Sequence, residues 1–591
     1  MTRREILKYG SMAGGALLAA SKGGLPRLYA NATQSPATTP FRDPLPAPPA
    51  PMAVAPFTLD QGALDDIARL ESAGVPKGTV IANYYKLVAE KRSVYSHKDF
   101  EDRGLKTSIW GYKDANVPVW DFAPGPTFNA FINSGDAVRL TNNLDPLDPG
   151  FGFPQLTMHQ HGSHLPFRSD GFAGSAPYNG ATFNPVAAPG GGHYDYTYPL
   201  LDPGFLSDPR GGDITERPST LWYHDHILDF TGPNVYKGLA GFFRVFDELD
   251  AADETKGLRL PYGDTSQGDA GQFDVPMVIQ DKTFAADASL VFDPFNHDGL
   301  LGDKFLVNGK IQPYLDVQGH RYRFRFLNGS NARFYELFLT NAAGKHFPWT
   351  VIATEGGLLD HAVSVDSLLI SPALRFDVIV DFSLFPQGEK LYLENRLVQD
   401  EGRGPKGTFE QPETVASGVR LVEFRVGAKI TDKSQNIQPG MTLRHFTAIA
   451  SRELSQATRR EFVFERSHGA WVINGQLVDL NSPMAQPAIN GPEIWHLKNS
   501  SGGWWHPIHI HSEFHRVLSR NGNSPSPYVL EQDGVAKKDT VILGPNSEVE
   551  IYFKFRDYTG PFVFHCHNIE HEDMAMMARF DVAPSPGQNS I

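Results

Sequence analysis

Three times along its 591 residues the chain spells a similar phrase, and that repeat constrains its fold more than any other feature. The phrases are Ile132-Asn-Ser-Gly-Asp-Ala-Val-Arg-Leu-Thr-Asn142, Val317-Gln-Gly-His-Arg-Tyr-Arg-Phe-Arg-Phe-Leu-Asn328 and Ile489-Asn-Gly-Pro-Glu-Ile-Trp-His-Leu-Lys-Asn499. Each reads as a turn, a strand and an asparagine-led stop. Their glycines, Gly135, Gly319 and Gly491, stand 184 and 172 residues apart, far too long a period for a solenoid unit. Three related domains in series are expected, consistent with a chain well beyond the ~250–300 residues at which single cores stop growing. The 56 glycines and 45 prolines favour turns and short strands over long helices. Alternating runs such as Arg375-Phe-Asp-Val-Ile-Val-Asp-Phe382 and Glu548-Val-Glu-Ile-Tyr-Phe-Lys-Phe555 fit sandwich strands.

This reading gives an all-β chain with domains at 57–247, 272–426 and 440–585, preceded by a Pro-rich extended arm at 33–56. The polar stretches Asp247 to Gly271 and Asp400 to Gly418 read as linkers. A net charge of −14 excludes a basic nucleic-acid face, and no apolar run approaches the ~20 residues that span a bilayer. The N-terminus, Thr2-Arg-Arg-Glu-Ile-Leu-Lys8, is similar to a twin-arginine signal; weakly apolar residues and the small-residue site Ala30-Asn-Ala32 follow it. Residues 1–32 are therefore expected to be an export signal read by the twin-arginine machinery, leading to a periplasmic or extracellular protein, expected as a monomer. The single cysteine, Cys566, precludes an internal disulfide.

Ten of the 21 histidines fall in four clusters: His159-Gln-His161, His224-Asp-His226, His506-Pro-Ile-His509-Ile-His511, and His565-Cys-His567 with His571. A His-x-His pair on a strand turns both imidazoles to one face, because side chains alternate. Eight imidazoles from four such pairs exceed the needs of one metal ion and point to a multinuclear site. Between His565 and His567, Cys566 must face the other way, and the odd offset of His506 from His509 turns it the same way. Two imidazoles (His506, His571), a thiolate and a weak axial thioether from Met576 make up the ligand set of a blue-copper electron-transfer site.

These motifs resemble those of the multicopper oxidase family. The pattern His-x-His-Gly, His-x-His, His-Pro-x-His-x-His and His-Cys-His-x3-His-x4-Met is complete and in order. Leu221-Trp-Tyr-His-Asp-His226 and His565-Cys-His-Asn-Ile-Glu-His-Glu-Asp573 are most similar to three-domain bacterial laccases of the spore-coat type and to bilirubin oxidases. The resemblance implies three consecutive cupredoxin-like Greek-key sandwiches holding four copper ions. It assigns His506, Cys566, His571 and Met576 to a type 1 ion, and His159 and His509 to a type 2 ion. His161, His224, His226, His511, His565 and His567 would hold a type 3 pair. Asp170 and Glu572 fall where such enzymes carry carboxylates serving proton delivery, although an Asp before Gly is also a common turn residue.

The implied reaction couples one-electron oxidation of phenolic, aminophenolic or bilirubin-like substrates to four-electron reduction of O2 to water. The alternatives are oxidation of manganous or cuprous ions at the same coppers, and a non-enzymatic exported binding factor. Ten methionines without a Met-rich run weaken the cuprous option, and an intact ligand set weakens the binding-factor option. Met574 and Met577 read as core residues, and His164 and His515 as neighbours of ligands. Trp504 and Trp505, ahead of His506, read equally as a substrate platform or a packing lid. The second domain is expected to supply no ligand and to act as a spacer.

Overall fold

The computed structural model describes residues 34–148, 150–263, 271–524, 533–585, 587 and 591. The export-signal reading of residues 1–32 lies outside them. Strands dominate, and they build sheets in three successive pairs. The first pair has two four-stranded sheets between Asn83–Val94 and Ala240–Phe246. The second has an eight- and a six-stranded sheet between Asp274–Phe284 and Thr414–Lys429. The third has a five- and a four-stranded sheet between Thr458–Ser467 and Met577–Val582. The chain is thus all-β in three cupredoxin-like sandwiches, as the repeat and the resemblance predict.

The repeated phrase has one structural meaning. In each sandwich its strand runs parallel to the first strand: Asp136–Asn142 beside Asn83–Val94, Arg321–Asn328 beside Asp274–Phe284, and Pro492–Asn499 beside Thr458–Ser467. The terminal asparagine then makes the same three bonds every time. Asn142 donates to the carbonyls of Pro154 and Ala187 and accepts from the Leu144 N–H. Asn328 donates to Arg333 and Ile370 and accepts from Ser330. Asn499 donates to Trp504 and Gly544 and accepts from Ser501. A buried carbonyl needs a partner, and one amide side chain here supplies two and closes the turn.

Apolar side chains alternate into each sandwich. Val138, Tyr196 and Phe243 fill the first, Phe324, Trp349 and Phe424 the second, and Trp495, Ile551 and Phe564 the third. Each such side chain contributes about 1.5–3 kcal/mol on full burial. The arm binds two sandwiches together: Leu45 N–H donates to the Tyr314 carbonyl in the second, and Val54 N–H to Tyr84 in the first. Asp400 to Gly418 is not an interdomain linker, as its composition suggested. It spans the turn between Lys390–Leu397 and Thr414–Lys429, which pair within one sheet, so its polarity reflects exposure of a hairpin excursion.

Candidate metal centre

Two sheets carry the ligand candidates. In the first sandwich, Met158–His161 pairs antiparallel with Thr220–Asp225, placing His159 opposite His224. In the third, His506–Ile510 pairs with Gly560–Cys566, placing His509 opposite His565 and Ile508 opposite Cys566. The sheets meet so that all eight paired imidazoles converge. Rings stack across the junction: His159 on His511 at 4.0 Å between centroids, and His161 on His509 at 3.6 Å. His161, His224 and His567 form one group with ligand nitrogens close together, and His226, His511 and His565 form another. All eight are buried.

On six of the eight rings a protein oxygen anchors one nitrogen, whereas neither nitrogen of His567 has a hydrogen-bond partner. His159 Nδ1 donates to the Asp170 carbonyl (2.5 Å), His224 Nδ1 to Asp225 (2.8 Å) and His509 Nδ1 to Asp539 (2.9 Å), leaving Nε2 without a partner on each. His511 Nδ1 lies 2.7 Å from Asp170 Oδ2, and His565 Nδ1 lies 3.1 Å from the Cys566 carbonyl. Their Nε2 atoms then face each other at 3.2 Å, with His226 Nε2 3.1 Å from that of His565. Burial, reinforced by mutual repulsion, holds seven of these imidazoles neutral: His226 falls to about 4 and His567 to about 3, and His159, His161, His224, His509 and His511 drop well below the ordinary range. Neutral rings facing lone pair to lone pair repel one another, and a cation between them converts that repulsion into coordination. The residues therefore fit copper.

On the opposite side of the Cys566 strand lies the second group. His506 Nδ1 is 3.4 Å and His571 Nδ1 3.6 Å from Cys566 Sγ, and the two nitrogens are 3.1 Å apart. His506 Nε2 is held by the Ser501 hydroxyl (2.8 Å), and His571 Nε2 points to the Asp298 carbonyl at 3.3 Å. Asn568 N–H donates to the sulfur at 3.4 Å, as a thiolate ligand requires. Burial, with the Glu572 charge adding to it, pushes the Cys566 thiol up, so a bound cation is what makes a thiolate there. Met576 is buried in the third core, and its carbonyl accepts the Cys566 N–H.

The twelve metal-ligand candidates from the sequence thus fall in one region, and none comes from the second sandwich. Asp170 and Glu572 are there too, both buried. Asp170 touches His159 and His511, and Glu572 Oε2 lies 3.0 Å from His565 Nδ1 with Oε1 3.5 Å from His226 Nδ1. His164 does not reach the centre: its imidazole is gripped by Glu513 (3.2 Å) and Asp557 (3.0 Å). His515 is buried, and its backbone pairs with Lys538. Trp505 packs into the second core beside Phe334, whereas Trp504 is buried in the third core, 5.5 Å from His571.

Several residues escaped the sequence reading. Trp471 lies 4.1 Å from His571 and donates Nε1–H to the His297 carbonyl. Ser501 holds His506, and Asp539 holds His509 and His161. The one available signal was Arg375 and Asp377, two charges within the largely apolar strand Arg375–Asp381.

A multicopper oxidase family model matches residues 281–396 and a second model of that family matches residues 450–586. The bilirubin oxidase of Albifimbria verrucaria is 30% identical over 84% of this chain and 77% of its own length. A laccase of Haloferax volcanii is 31% identical over 85% and 82%. The solved McoA multicopper oxidase of Aquifex aeolicus superposes with a TM-score of 0.64 at 27% identity, over 84% of this chain and 96% of its own. Fold and site define a copper-dependent oxidoreductase with O2 as acceptor. The chain belongs to the multicopper oxidase family, and its function is laccase-like.

Proposed function

We propose that this chain holds four copper ions and couples oxidation of small aromatic donors to reduction of O2 to water. His506, Cys566, His571 and Met576 would hold the type 1 ion, and His159 and His509 the type 2 ion. His161, His224 and His567 would hold one type 3 ion, and His226, His511 and His565 the other. Copper supplies one-electron transfer from the donor at the first position and four-electron reduction of O2 at the other three. The observation that carries this reading is the pair of unshared-nitrogen nests on opposite faces of one strand, with Cys566 in one and His565 in the other. The backbone between them gives a short covalent path.

The chain's own residues do the rest. Asp170 accepts at His511 Nδ1, and Glu572 stands against His565 Nδ1; with Asp539 at His161 they are the carboxylates that touch the cluster, and proton delivery is assigned to Asp170 and Glu572. Arg403 and Arg466 lie 5.1 and 5.7 Å from the Trp504 ring. The nearby carboxylates are engaged, Asp298 by Arg466 and Glu401 by Arg403, each at 3.1 Å. An indole beside His571 and carboxylates already paired with arginine favour a phenolic, aminophenolic or bilirubin-like donor over a manganous or cuprous ion. The Arg3-Arg4 motif supports export, tested by cell fractionation of an Arg3→Lys/Arg4→Lys variant; among the described residues no helix is long and apolar enough to cross a membrane.

The test is the absorption spectrum of copper-loaded protein before and after anaerobic addition of a phenol. An intense blue band, bleached by the phenol and restored by air in the wild type and absent from Cys566→Ser, is expected. A blue band that survives in Cys566→Ser overturns the ligand assignment.

A further inference from the structure

The aspartates Asp170 and Asp539 do the same work in opposite directions across the junction. Asp170, in the first sandwich, uses its carbonyl for its own domain's His159 and its carboxylate for His511 of the third. Asp539, in the third, uses its carbonyl for its own domain's His509 and its carboxylate for His161 of the first, Oδ1 lying 3.3 Å from Nε2. The second arrangement has a consequence the first lacks. His161 is anchored at Nε2, so the nitrogen left without a partner is Nδ1, whereas His159, His224 and His509 are anchored at Nδ1. Asp539 therefore inverts the ring that His161 offers to the centre.

Asp539 does not stand alone. Arg375 grips both of its carboxylate oxygens, Nη1 at 3.0 Å and Nη2 at 2.7 Å, with both side chains buried. A guanidinium fork fixes a carboxylate's plane as well as its charge. Arg375 belongs to the second sandwich, on Arg375–Asp381. Its remaining donors go to the carbonyl of Thr220, on the strand that carries His224, and to those of Ala373 and Glu355. Gly162, the glycine of the His-x-His-Gly motif, makes room for the pair: a Cβ there would lie 2.5 Å from both Arg375 Nη2 and Asp539 Oδ2. Its φ of +95° also disfavours any other residue.

We propose that Arg375 is a positioning residue for the copper cluster: through Asp539 it sets the ring orientation of His161 and the placement of His509, making the second domain a working part of the centre. The proposal rests on the assignment of His161 and His509 as ligands. Bound carboxylates that orient ligating histidines typically govern metal affinity by 10–100-fold.

The experiment compares wild type with Arg375→Lys and Arg375→Met, measuring copper per chain, the electron paramagnetic resonance signals of the two mononuclear ions, and the melting temperature. Both variants are expected to keep the blue type 1 signal, while retention of copper at the cluster falls about 10–100-fold and the type 2 signal shifts or disappears. Lysine should not rescue, because it supplies the charge but not the fork. If Arg375→Met melts earlier yet keeps its cluster copper and type 2 signal, Arg375 is only an interdomain pin and the proposal fails. If the Arg375 variants do not fold, Asp539→Asn, which preserves volume, carries the test with the same two outcomes. A wild-type protein that loads type 1 copper but shows no type 2 signal would instead overturn the ligand assignment.

Discussion

Asn499 reaches His506 through a single hydroxyl: Ser501 donates to Asn499 Oδ1 at 2.5 Å and accepts from His506 Nε2–H at 2.8 Å. The same asparagine corner occurs in all three sandwiches, but only in the third does it touch a ligand candidate. Replacing Asn142, Asn328 or Asn499 by alanine removes two donors to carbonyls and the acceptor of one N–H, although Ala187 still accepts from Leu156 and Gly544 from Ser547. Each is expected to cost about 2–3 kcal/mol in denaturant titration. Only Asn499→Ala should also shift the blue absorption band. A shift of equal size in Asn328→Ala would show that the band responds to general loosening and not to the hydroxyl.

His164 carries a prediction about pH. Burial opposes its charge, but Glu513 and Asp557 outweigh that penalty and raise the imidazole to about 9. The ring is only 7% exposed and spans the first and third sandwiches. Because the folded value lies above the unfolded one of about 6.5, the stabilisation is fully present below pH 6.5 and is lost as pH rises through 9. Wild type should exceed His164→Gln by on the order of 2–3 kcal/mol at pH 6, with the gap closing above pH 9. Urea midpoints of the metal-free proteins at pH 6, 8 and 10 measure it; parallel profiles would rule out a charged His164.

Trp471 is buried against the His506–Cys566–His571 group, its ring tilted over His571 and the Arg466 guanidinium 4.9 Å from its centroid. Trp471→Ala is expected to cost about 3–5 kcal/mol. It should also admit water and lower the type 1 reduction potential by about 60 mV, a tenfold change for one electron. Redox titration followed at the blue band reads this directly. An unchanged potential would reduce Trp471 to a packing residue.

Copper removal should destabilise the whole chain. Each ion bound only by the folded form adds about 2.7 kcal/mol at a hundredfold excess over its dissociation constant. Scanning calorimetry at one fixed rate, with and without a copper chelator, is expected to show a lower transition for the stripped protein. Coincident transitions would mean that the nitrogens do not bind metal.

Much of this centre was legible because strand alternation is local: His159 and His161, or His565 and His567, share a face whatever surrounds them, and Cys566 must oppose its neighbours. The three asparagines were legible as stops for the same reason, although their bonding was not. Asp539 and Arg375 were hidden because they are 164 residues apart, and Asp539 meets His161 across 378 residues. Neither stands in a motif, and charge on a buried strand gives no address for its partner. Asp400 to Gly418 was misread because polarity signals exposure equally in a linker and in a hairpin.

No sandwich of this chain owns a complete cluster. His226 and His565, whose Nε2 atoms lie 3.1 Å apart, are 339 residues apart in the chain. The cluster therefore comes into being only when the first and third domains dock, after both have been synthesised and packed. Metal binding at these positions consequently follows docking, and a chain that has misdocked presents no complete cluster. Full copper occupancy thus certifies correct assembly as well as readiness for catalysis.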